Sequence, residues 1–257
     1  MYKVTPIPAF RDNYIWTILG DPPGAVAVVD PGDAAPVERY LGEQGLTLAA
    51  ILITHHHPDH TGGVAELTAH RDIPVYGPEN SPFGGITHPL GDGAQIELFG
   101  HRLEVKAVPG HTLDHISYFQ PLDQPQLFCG DTLFLAGCGR LFEGTAAQMQ
   151  AAMDYFASLP DTTLVYCTHE YSLANLMFAQ AVEPENPSIA DAIEQCRTLR
   201  EQERPTLPST IGSEKRINPF MRTEQAAVVS AAAAHAGSAR ANPVEVLAAL
   251  REWKNRF

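Results

Sequence analysis

Short apolar runs that end at Gly, Pro, His or Asp constrain the fold of this chain more than any other feature. Five runs of four to six residues cover 25–29, 49–53, 103–108, 126–129 and 163–167. Their length and their content of Val, Ile and Leu favour strands over helices. Helical patterns lie between some of them, over 34–43, 63–70 and 145–158, and Thr145 is a suitable N-cap for the last. This alternation predicts an α/β domain.

The pattern changes near residue 172. Beyond it no strand pattern recurs, and helical patterns cover 172–182, 188–203, 223–235 and 243–253, with Thr223 and Asn242 as candidate N-caps. A proline-punctuated connection joins Pro205 to Pro219. The charge divides similarly, because residues 1–160 carry 7 basic and 18 acidic side chains whereas residues 161–257 carry 10 and 12. We therefore predict two domains, 1–172 and 173–257, the second helical.

Charge and composition exclude several classes of partner. The formal net charge of −13 opposes binding to nucleic acid or to an anionic membrane, since both need a basic surface. No run approaches the ~20 apolar residues that cross a bilayer. The apolar stretch 14–19 is short, lacks a basic flank and runs into Asp21-Pro22-Pro23, which argues against a signal peptide. Four cysteines without a C-x-x-C pair fit a reducing cytoplasm, and we expect a cytoplasmic monomer.

One motif carries strong metal-ligand chemistry. Strand 49–53 leads into Thr54-His-His-His-Pro-Asp-His60, which places four ligands of the pattern His-x-His-x-Asp-His within six residues. His55 and His57 can point to one side and His56 away, while a turn at Pro58 brings Asp59 and His60 round from another direction. Imidazole and carboxylate together suit zinc, iron or manganese. For this stretch alone, a solvated histidine-rich loop remains the alternative.

Three further candidate ligands, His111, Asp131 and His169, each lie just past the end of a predicted strand. Functional groups of α/β proteins gather at such strand ends. Seven candidates are too many for one catalytic zinc, which takes about three protein ligands, and fit two ions that share a carboxylate. We assign His55, His57 and His111 to one ion, Asp59, His60 and His169 to the other, and Asp131 as the bridge.

Two such ions suggest hydrolytic chemistry. Metals about 3.5–4 Å apart can share a hydroxide, because coordination lowers the pKa of water to roughly 7. Asp59 is our candidate catalytic residue, which would orient the bridging water or take its proton.

Several segments resemble a known family. Besides the histidine motif these are Asp12-Asn13-Tyr14, Ala136-Gly-Cys-Gly-Arg-Leu-Phe-Glu-Gly144, Thr168-His-Glu-Tyr171, Asn218-Pro-Phe-Met-Arg222 and Leu250-Arg-Glu-Trp-Lys254. The motif is similar to that of the metallo-β-lactamase superfamily, and the other segments resemble its glyoxalase II (hydroxyacylglutathione hydrolase) branch. The resemblance implies a four-layered αβ/βα sandwich with a C-terminal helical domain and two divalent metal ions, of which Zn²⁺ is expected first.

The same resemblance implies a thiolesterase that splits S-D-lactoylglutathione into glutathione and D-lactate, the second step of methylglyoxal detoxification. It also implies substrate contacts from Arg140, Phe142, Tyr171, Arg251 and Lys254 in this chain, although some members carry Tyr at the position of Phe142. Cationic side chains are natural partners for the two carboxylates of glutathione.

Other functions and other roles stay open at this stage. A mononuclear iron persulfide dioxygenase shares the superfamily motif but needs fewer ligands, and a non-catalytic metal-binding protein would not need all seven. Asp30 could brace the metal loop or only form an Asp-Pro-Gly turn. His115 could orient a ligand or be a buried structural histidine. Cys138 could be a nucleophile, but a small residue in a tight loop is the favoured interpretation.

Overall fold

The computed structural model describes residues 2–20 and 24–257, so the segment Asp21-Pro22-Pro23 that follows the apolar stretch 14–19 lies outside the described residues. The strands are β1 (Lys3–Ala9), β2 (Asn13–Leu19), β3 (Ala25–Val29), β4 (Thr47–Leu52), β5 (Val75–Pro78), β6 (His88–Leu90), β7 (Gln95–Leu98), β8 (His101–Ala107), β9 (Ile116–Gln120), β10 (Gln126–Gly130), β11 (Leu133–Phe134), β12 (Gly137–Cys138), β13 (Leu164–Cys167) and β14 (Ser209–Thr210).

Helices alternate with these strands and then dominate the C-terminal part. They are α1 (Ala34–Gln44), α2 (Pro58–Thr61), α3 (Val64–Thr68), α4 (Ala146–Ser158), α5 (Ser172–Val182), α6 (Pro187–Glu201), α7 (Ile211–Ile217), α8 (Ala226–Ala236) and α9 (Pro243–Arg256), with a short 3₁₀ helix at Pro219–Met221. In the part of the chain that the structure describes, no helix is both long and apolar enough to cross a membrane.

The predicted elements are largely confirmed. All five predicted strands and all seven predicted helices are present within a few residues of their expected ends. Thr145 caps α4 through a hydrogen bond from the backbone N of Gln148, and Asn242 caps α9 directly before Pro243.

Two predictions for the C-terminal part are wrong. The helix expected from Thr223 begins at Ala226, because the Thr223 hydroxyl hydrogen-bonds Oε1 of Gln150 at 3.1 Å instead of capping a helix. The connection between Pro205 and Pro219 contains strand β14 and helix α7, although no strand was expected beyond residue 172. The side chain of Thr210 accepts from the backbone N of Ser213 and so starts α7.

The chain divides into two units that are discontinuous in sequence. The first unit comprises the described residues up to Val108, Asp114–Gly130 and Tyr166–His169, and the second comprises Pro109–Leu113, Asp131–Val165 and Glu170–Phe257. The division at 172 and 173 that the sequence predicts stays a prediction.

The first unit is built on a mixed six-stranded sheet in the order β1-β2-β3-β4-β5-β6. Strands β1 to β3 are antiparallel neighbours, whereas β3 to β6 run parallel. Alternate strand residues and the inner faces of α1 and α3 form an apolar core that includes Val28, Val37, Ile51 and Leu67. Burial of such side chains stabilises each by roughly 1.5–3 kcal/mol relative to exposure.

A second sheet of the first unit lies against the face of the first sheet that α1 and α3 do not cover. It contains the antiparallel strands β7 to β10 and the end of β13. Two buried aromatic side chains connect the sheets, since Nε1 of Trp16 donates to the carbonyl of Cys167 at 2.9 Å and the hydroxyl of Tyr118 donates to that of Ile53 at 2.8 Å. The first unit therefore has a helix layer and two sheet layers.

The second unit is mainly helical. Helix α5 packs on α6, α8 on α9, and α4 on α9, and Phe156, Phe178, Phe220 and Leu250 are fully buried among them. The hairpin β11–β12 and the short strand β14, which pairs with Leu164 and Val165, complete this unit.

Candidate functional site

A buried aspartate organises the start of the histidine motif. Asp30 lies at the end of β3 with a φ of 53° and is 1% exposed. Its Oδ1 accepts from the backbone N of Thr54 at 2.8 Å, and its Oδ2 accepts from the Thr54 hydroxyl at 2.8 Å. The same Oδ2 lies 3.0 Å from Nδ1 of His60. Asp30 therefore braces the loop, which is the first of the two roles that the sequence left open for it.

The motif loop separates its histidines as the alternation predicts. Nε2 of His55 lies 3.0 Å from Nδ1 of His57, whereas Nδ1 of His56 lies 2.9 Å from Oδ1 of Asp114. The expected turn is a single helical turn, because Pro58 occupies the first position of α2.

Asp59, His60 and His169 converge within the first unit. Oδ2 of Asp59 lies 3.5 Å from Nε2 of His60 and 3.5 Å from Nε2 of His169. Both histidines are buried, and the Asp59 side chain is 41% exposed. Two imidazole nitrogens and one carboxylate oxygen at this spacing form a donor set that suits a divalent metal ion.

The second nitrogen of each histidine in this group is held by another carboxylate. Nδ1 of His169 lies 2.8 Å from Oδ1 of Asp12, as Nδ1 of His60 does from Asp30. This pairing fixes each ring so that Nε2 points at Asp59. Nδ2 of Asn13 donates to Oδ2 of Asp59 at 3.1 Å and so orients the remaining ligand.

Sequence reasoning gave Asp12 and Asn13 no role. Asp12 is the last residue of the turn of the β1–β2 hairpin, and Asn13 is the first residue of β2, where it pairs with Ala9. An Asp-Asn pair at a hairpin turn has an ordinary explanation as a turn former. Only the hairpin register, together with the bridge between Asn13 and His169, shows where these side chains point.

His115 packs against the motif. Its ring stacks on that of His55 at 4.6 Å with an interplanar angle of 16°, and its Nδ1 donates to the carbonyl of Ile116 at 3.0 Å. Full burial and this stacking place His115 behind a candidate ligand, which fits a supporting role.

The second unit holds the other two candidate ligands. Nε2 of His111 lies 3.5 Å from Oδ2 of Asp131, and Nδ1 of His111 donates to the carbonyl of Arg140 at 2.8 Å. Gly139 allows this approach, since a Cβ there would lie 2.1 Å from the Asp131 carbonyl and 2.9 Å from the His111 ring. His111 therefore also points Nε2 towards a carboxylate, within the second unit.

Three of the five predicted substrate-binding residues are exposed. Arg140 is exposed, Phe142 is 63% exposed with its ring 5.3 Å from that of His111, and Tyr171 is 38% exposed against Phe134. These side chains are available to a ligand on the surface of the second unit.

The two predicted cations from α9 differ from each other. Arg251 is 5% exposed, donates from Nη1 to the carbonyl of Cys138 at 2.7 Å and lies 5.3 Å from the ring of Phe220. Lys254 is partly buried, and burial together with the positive charges of Arg251 and Arg140 lowers its pKa to about 8. These three cations therefore share one positive region of the second unit.

Cys138 lies inside this region, where its surroundings disfavour a nucleophilic role. Burial raises the pKa of its thiol, which disfavours the reactive thiolate. Its carbonyl contact with Arg251 and its place in β12 fit the structural interpretation that the sequence favoured.

The fold defines the class of protein. A metallo-beta-lactamase superfamily model matches residues 12–169, and a model described as the hydroxyacylglutathione hydrolase C-terminus matches residues 170–257. The solved structure of ETHE1 from Myxococcus xanthus superposes with a TM-score of 0.67 at 23% identity, covering 98% of this chain and 91% of that chain. The chain thus has the αβ/βα fold of the metallo-β-lactamase superfamily, with the C-terminal helical region that the sequence predicted.

Closer relatives identify the family within this class. The hydroxyacylglutathione hydrolase of Chromohalobacter salexigens is 53% identical over 257 residues, and that of Hahella chejuensis is 52% identical over 258 residues, with 100% of each chain covered. The chain belongs to the hydroxyacylglutathione hydrolase family, and the resemblance seen in the sequence is confirmed.

Proposed function

We propose that this chain is a metal-dependent thiolesterase that hydrolyses S-D-lactoylglutathione to glutathione and D-lactate, the second step of methylglyoxal detoxification. The observation that carries the proposal is the convergence of Asp59, His60 and His169 in a chain that matches hydroxyacylglutathione hydrolases end to end. The glutathione thioester is the small-molecule partner.

We further propose two divalent ions per chain, Zn²⁺ first and iron or manganese as alternatives. Residues His55, His57 and His111 would bind one ion, Asp59, His60 and His169 the other, and Asp131 both. Support comes from the donor chemistry, since each of His60, His111 and His169 directs Nε2 towards a carboxylate. When bound, such ions supply Lewis acidity that activates water and polarises the thioester carbonyl.

We assign to Asp59 the role of orienting the attacking water or accepting its proton. It is more exposed than its two histidine neighbours, and its hydrogen bond from Asn13 holds the carboxylate in one orientation. A carboxylate so placed can orient the attacking water or accept its proton. The leaving thiolate has an unperturbed pKa near 8.5, so it departs without a strong general acid.

Substrate recognition belongs to the positive region of the second unit. Arg140 and Lys254 offer charged donors for the carboxylates of glutathione, and Phe142 and Tyr171 offer exposed aromatic faces. Arg251 adds a third positive charge, but its Nη1 already donates to the Cys138 carbonyl. A net charge of −13 repels an anionic substrate overall, so affinity has to come from this local region.

We also propose a cytoplasmic monomer. All four cysteines are free and buried, which suits a reducing compartment.

One assay tests the function. Loss of thioester absorbance is followed with S-D-lactoylglutathione, on protein whose metals are counted by elemental analysis. Activity should vanish on chelation and return with Zn²⁺, and full activity after complete metal removal contradicts the proposal. Oxygen uptake with glutathione persulfide, without thioester hydrolysis, would favour the dioxygenase alternative.

The metal assignment has its own test. In Asp131→Ala both ions should bind more weakly, because the proposed bridge is lost. Retention of two ions per chain at full occupancy contradicts the bridging role.

A further inference from the structure

The hairpin β11–β12 has a buried turn. Leu133 pairs with Cys138 and Phe134 with Gly137, which leaves Leu135 and Ala136 as the two turn residues. They are 6% and 0% exposed, and Ala136 has a φ of 54°. Buried backbone groups need hydrogen-bond partners.

Side chains from the C-terminal helices supply the partners. Nδ2 of Asn175 donates to the carbonyl of Leu135 at 3.0 Å, and Oε2 of Glu214 accepts from the backbone N of Ala136 at 2.8 Å. Nδ2 of Asn218 reaches both strands, donating to the carbonyls of Phe134 at 3.2 Å and Gly137 at 3.0 Å. The turn is therefore held from α5 and α7 and not by its own residues alone.

Glu214 and Asn218 also hold each other. Nδ2 of Asn218 donates to Oε2 of Glu214 at 3.0 Å, and Oδ1 of Asn218 accepts from the backbone N of Phe220 at 3.1 Å. Both side chains are 0% exposed. Burial raises the pKa of Glu214 to about 7, because it disfavours the charged form of the carboxyl group.

The other end of the hairpin leads into the substrate region. The backbone N of Gly139 donates to the carbonyl of Thr132 at 3.2 Å and closes the hairpin one residue before Arg140. Arg140 then accepts from His111 through its carbonyl, and Phe142 donates its backbone N to the His111 carbonyl at 3.2 Å. A displacement of the hairpin would therefore move Arg140 and Phe142.

We propose that Glu214 and Asn218 are positioning residues that fix the β11–β12 hairpin and so present Arg140 and Phe142 to the substrate. The inference rests on the proposed function for the identity of the substrate. Neither residue touches the substrate, and their effect passes through the backbone of 134–137.

The test compares three variants as metal-loaded holoenzymes. Glu214→Leu places an apolar side chain there and removes the acceptor from Ala136 and Asn218, whereas Glu214→Gln keeps the shape and one oxygen for both. Glu183→Leu is the matched control, because Glu183 is also a buried carboxylate of the C-terminal region but pairs with Arg222 and not with the hairpin.

In Glu214→Leu, KM for S-D-lactoylglutathione should rise roughly tenfold, since one to two buried hydrogen bonds are lost, while kcat and metal content stay within about twofold of wild type. Hydrogen exchange of the segment 133–142 should be faster than in wild type. Glu214→Gln should restore both values, and Glu183→Leu should be less stable with unchanged KM.

An unchanged KM in Glu214→Leu, or an equal rise in Glu183→Leu, overturns the proposal. If Glu214→Leu does not fold, Asn175→Ala removes only the bond to Leu135 and should raise KM in the same direction. Absence of thioester hydrolysis in the wild-type protein would refute the proposed function. Hydrogen exchange of 133–142 in Glu214→Leu that is as slow as in wild type would refute the positioning role by itself.

Discussion

Oδ1 of Asp12 lies 2.8 Å from Nδ1 of His169, although 157 residues separate the two in the sequence. Asp30 engages Nδ1 of His60 in the same way at 3.0 Å. Each aspartate therefore fixes one imidazole so that its other nitrogen faces Asp59. Carboxylates in this position orient metal-ligating histidines and raise their basicity.

Asp12→Ala should weaken metal binding and leave the fold intact. The Asp12 side chain is 38% exposed, so its loss removes the orientation of His169 without opening the core. We expect metal affinity to fall roughly 10- to 100-fold, measured by competition with a chelator. Asp33→Ala is the control, because Asp33 caps α1 and contacts no candidate ligand in the described hydrogen bonds. Equal affinity in the Asp12 variant and wild type would contradict this role.

Asp30→Asn should weaken metal binding and also reduce stability. Asp30 is 1% exposed and accepts two hydrogen bonds from Thr54, one from His60 and a longer one from Thr168. An amide in its place leaves a buried donor facing donors. The expected loss is about 2 kcal/mol in the free energy of unfolding, measured by urea denaturation of the metal-free protein. A variant as stable as wild type would show that the bracing contacts contribute little.

The fold class and the ligand types could be predicted because they depend on local patterns. Apolar runs of four to six residues encode strands, and a strand that ends in His-x-His-x-Asp-His has few ordinary explanations. Thr145 and Asn242 cap the helices that their sequences indicate, since capping acts over three residues.

What sequence reasoning missed depends on long-range geometry. Asp12 and Asn13 reach His169 and Asp59 only through the β1–β2 hairpin. Glu214 meets Ala136 across 78 positions, and nothing local to either residue indicates this contact. Thr223 looked like an N-cap because a threonine before a helical pattern is common, but a tertiary contact with Gln150 uses its hydroxyl.

Glu214 should make the protein less stable as the pH rises through neutrality. Burial raises its pKa from 4.5 to about 7, so the folded state holds the proton more tightly than the unfolded state. This contribution to stability is fully present below pH 4.5 and is lost as the pH rises through about 7. The difference between the two pKa values corresponds to a loss of roughly 3 kcal/mol in the free energy of unfolding. Urea denaturation between pH 5 and pH 8 would measure it. Glu214→Gln, which does not titrate, should show a flatter profile, and an identical slope in both proteins would contradict the assignment.

Lys254 should give the enzyme an alkaline loss of substrate affinity. Burial, followed by the charges of Arg251 and Arg140, lowers its pKa to about 8, and the neutral amine formed above that pH no longer attracts a carboxylate. KM for S-D-lactoylglutathione should therefore rise as the pH increases from 7 to 9, while kcat follows a separate profile. Lys254→Arg keeps the positive charge throughout this range, so its KM should stay nearly level. Spontaneous thioester hydrolysis at each pH is subtracted as the blank. If KM of the Arg variant rises as steeply as that of wild type, the titrating group is not Lys254.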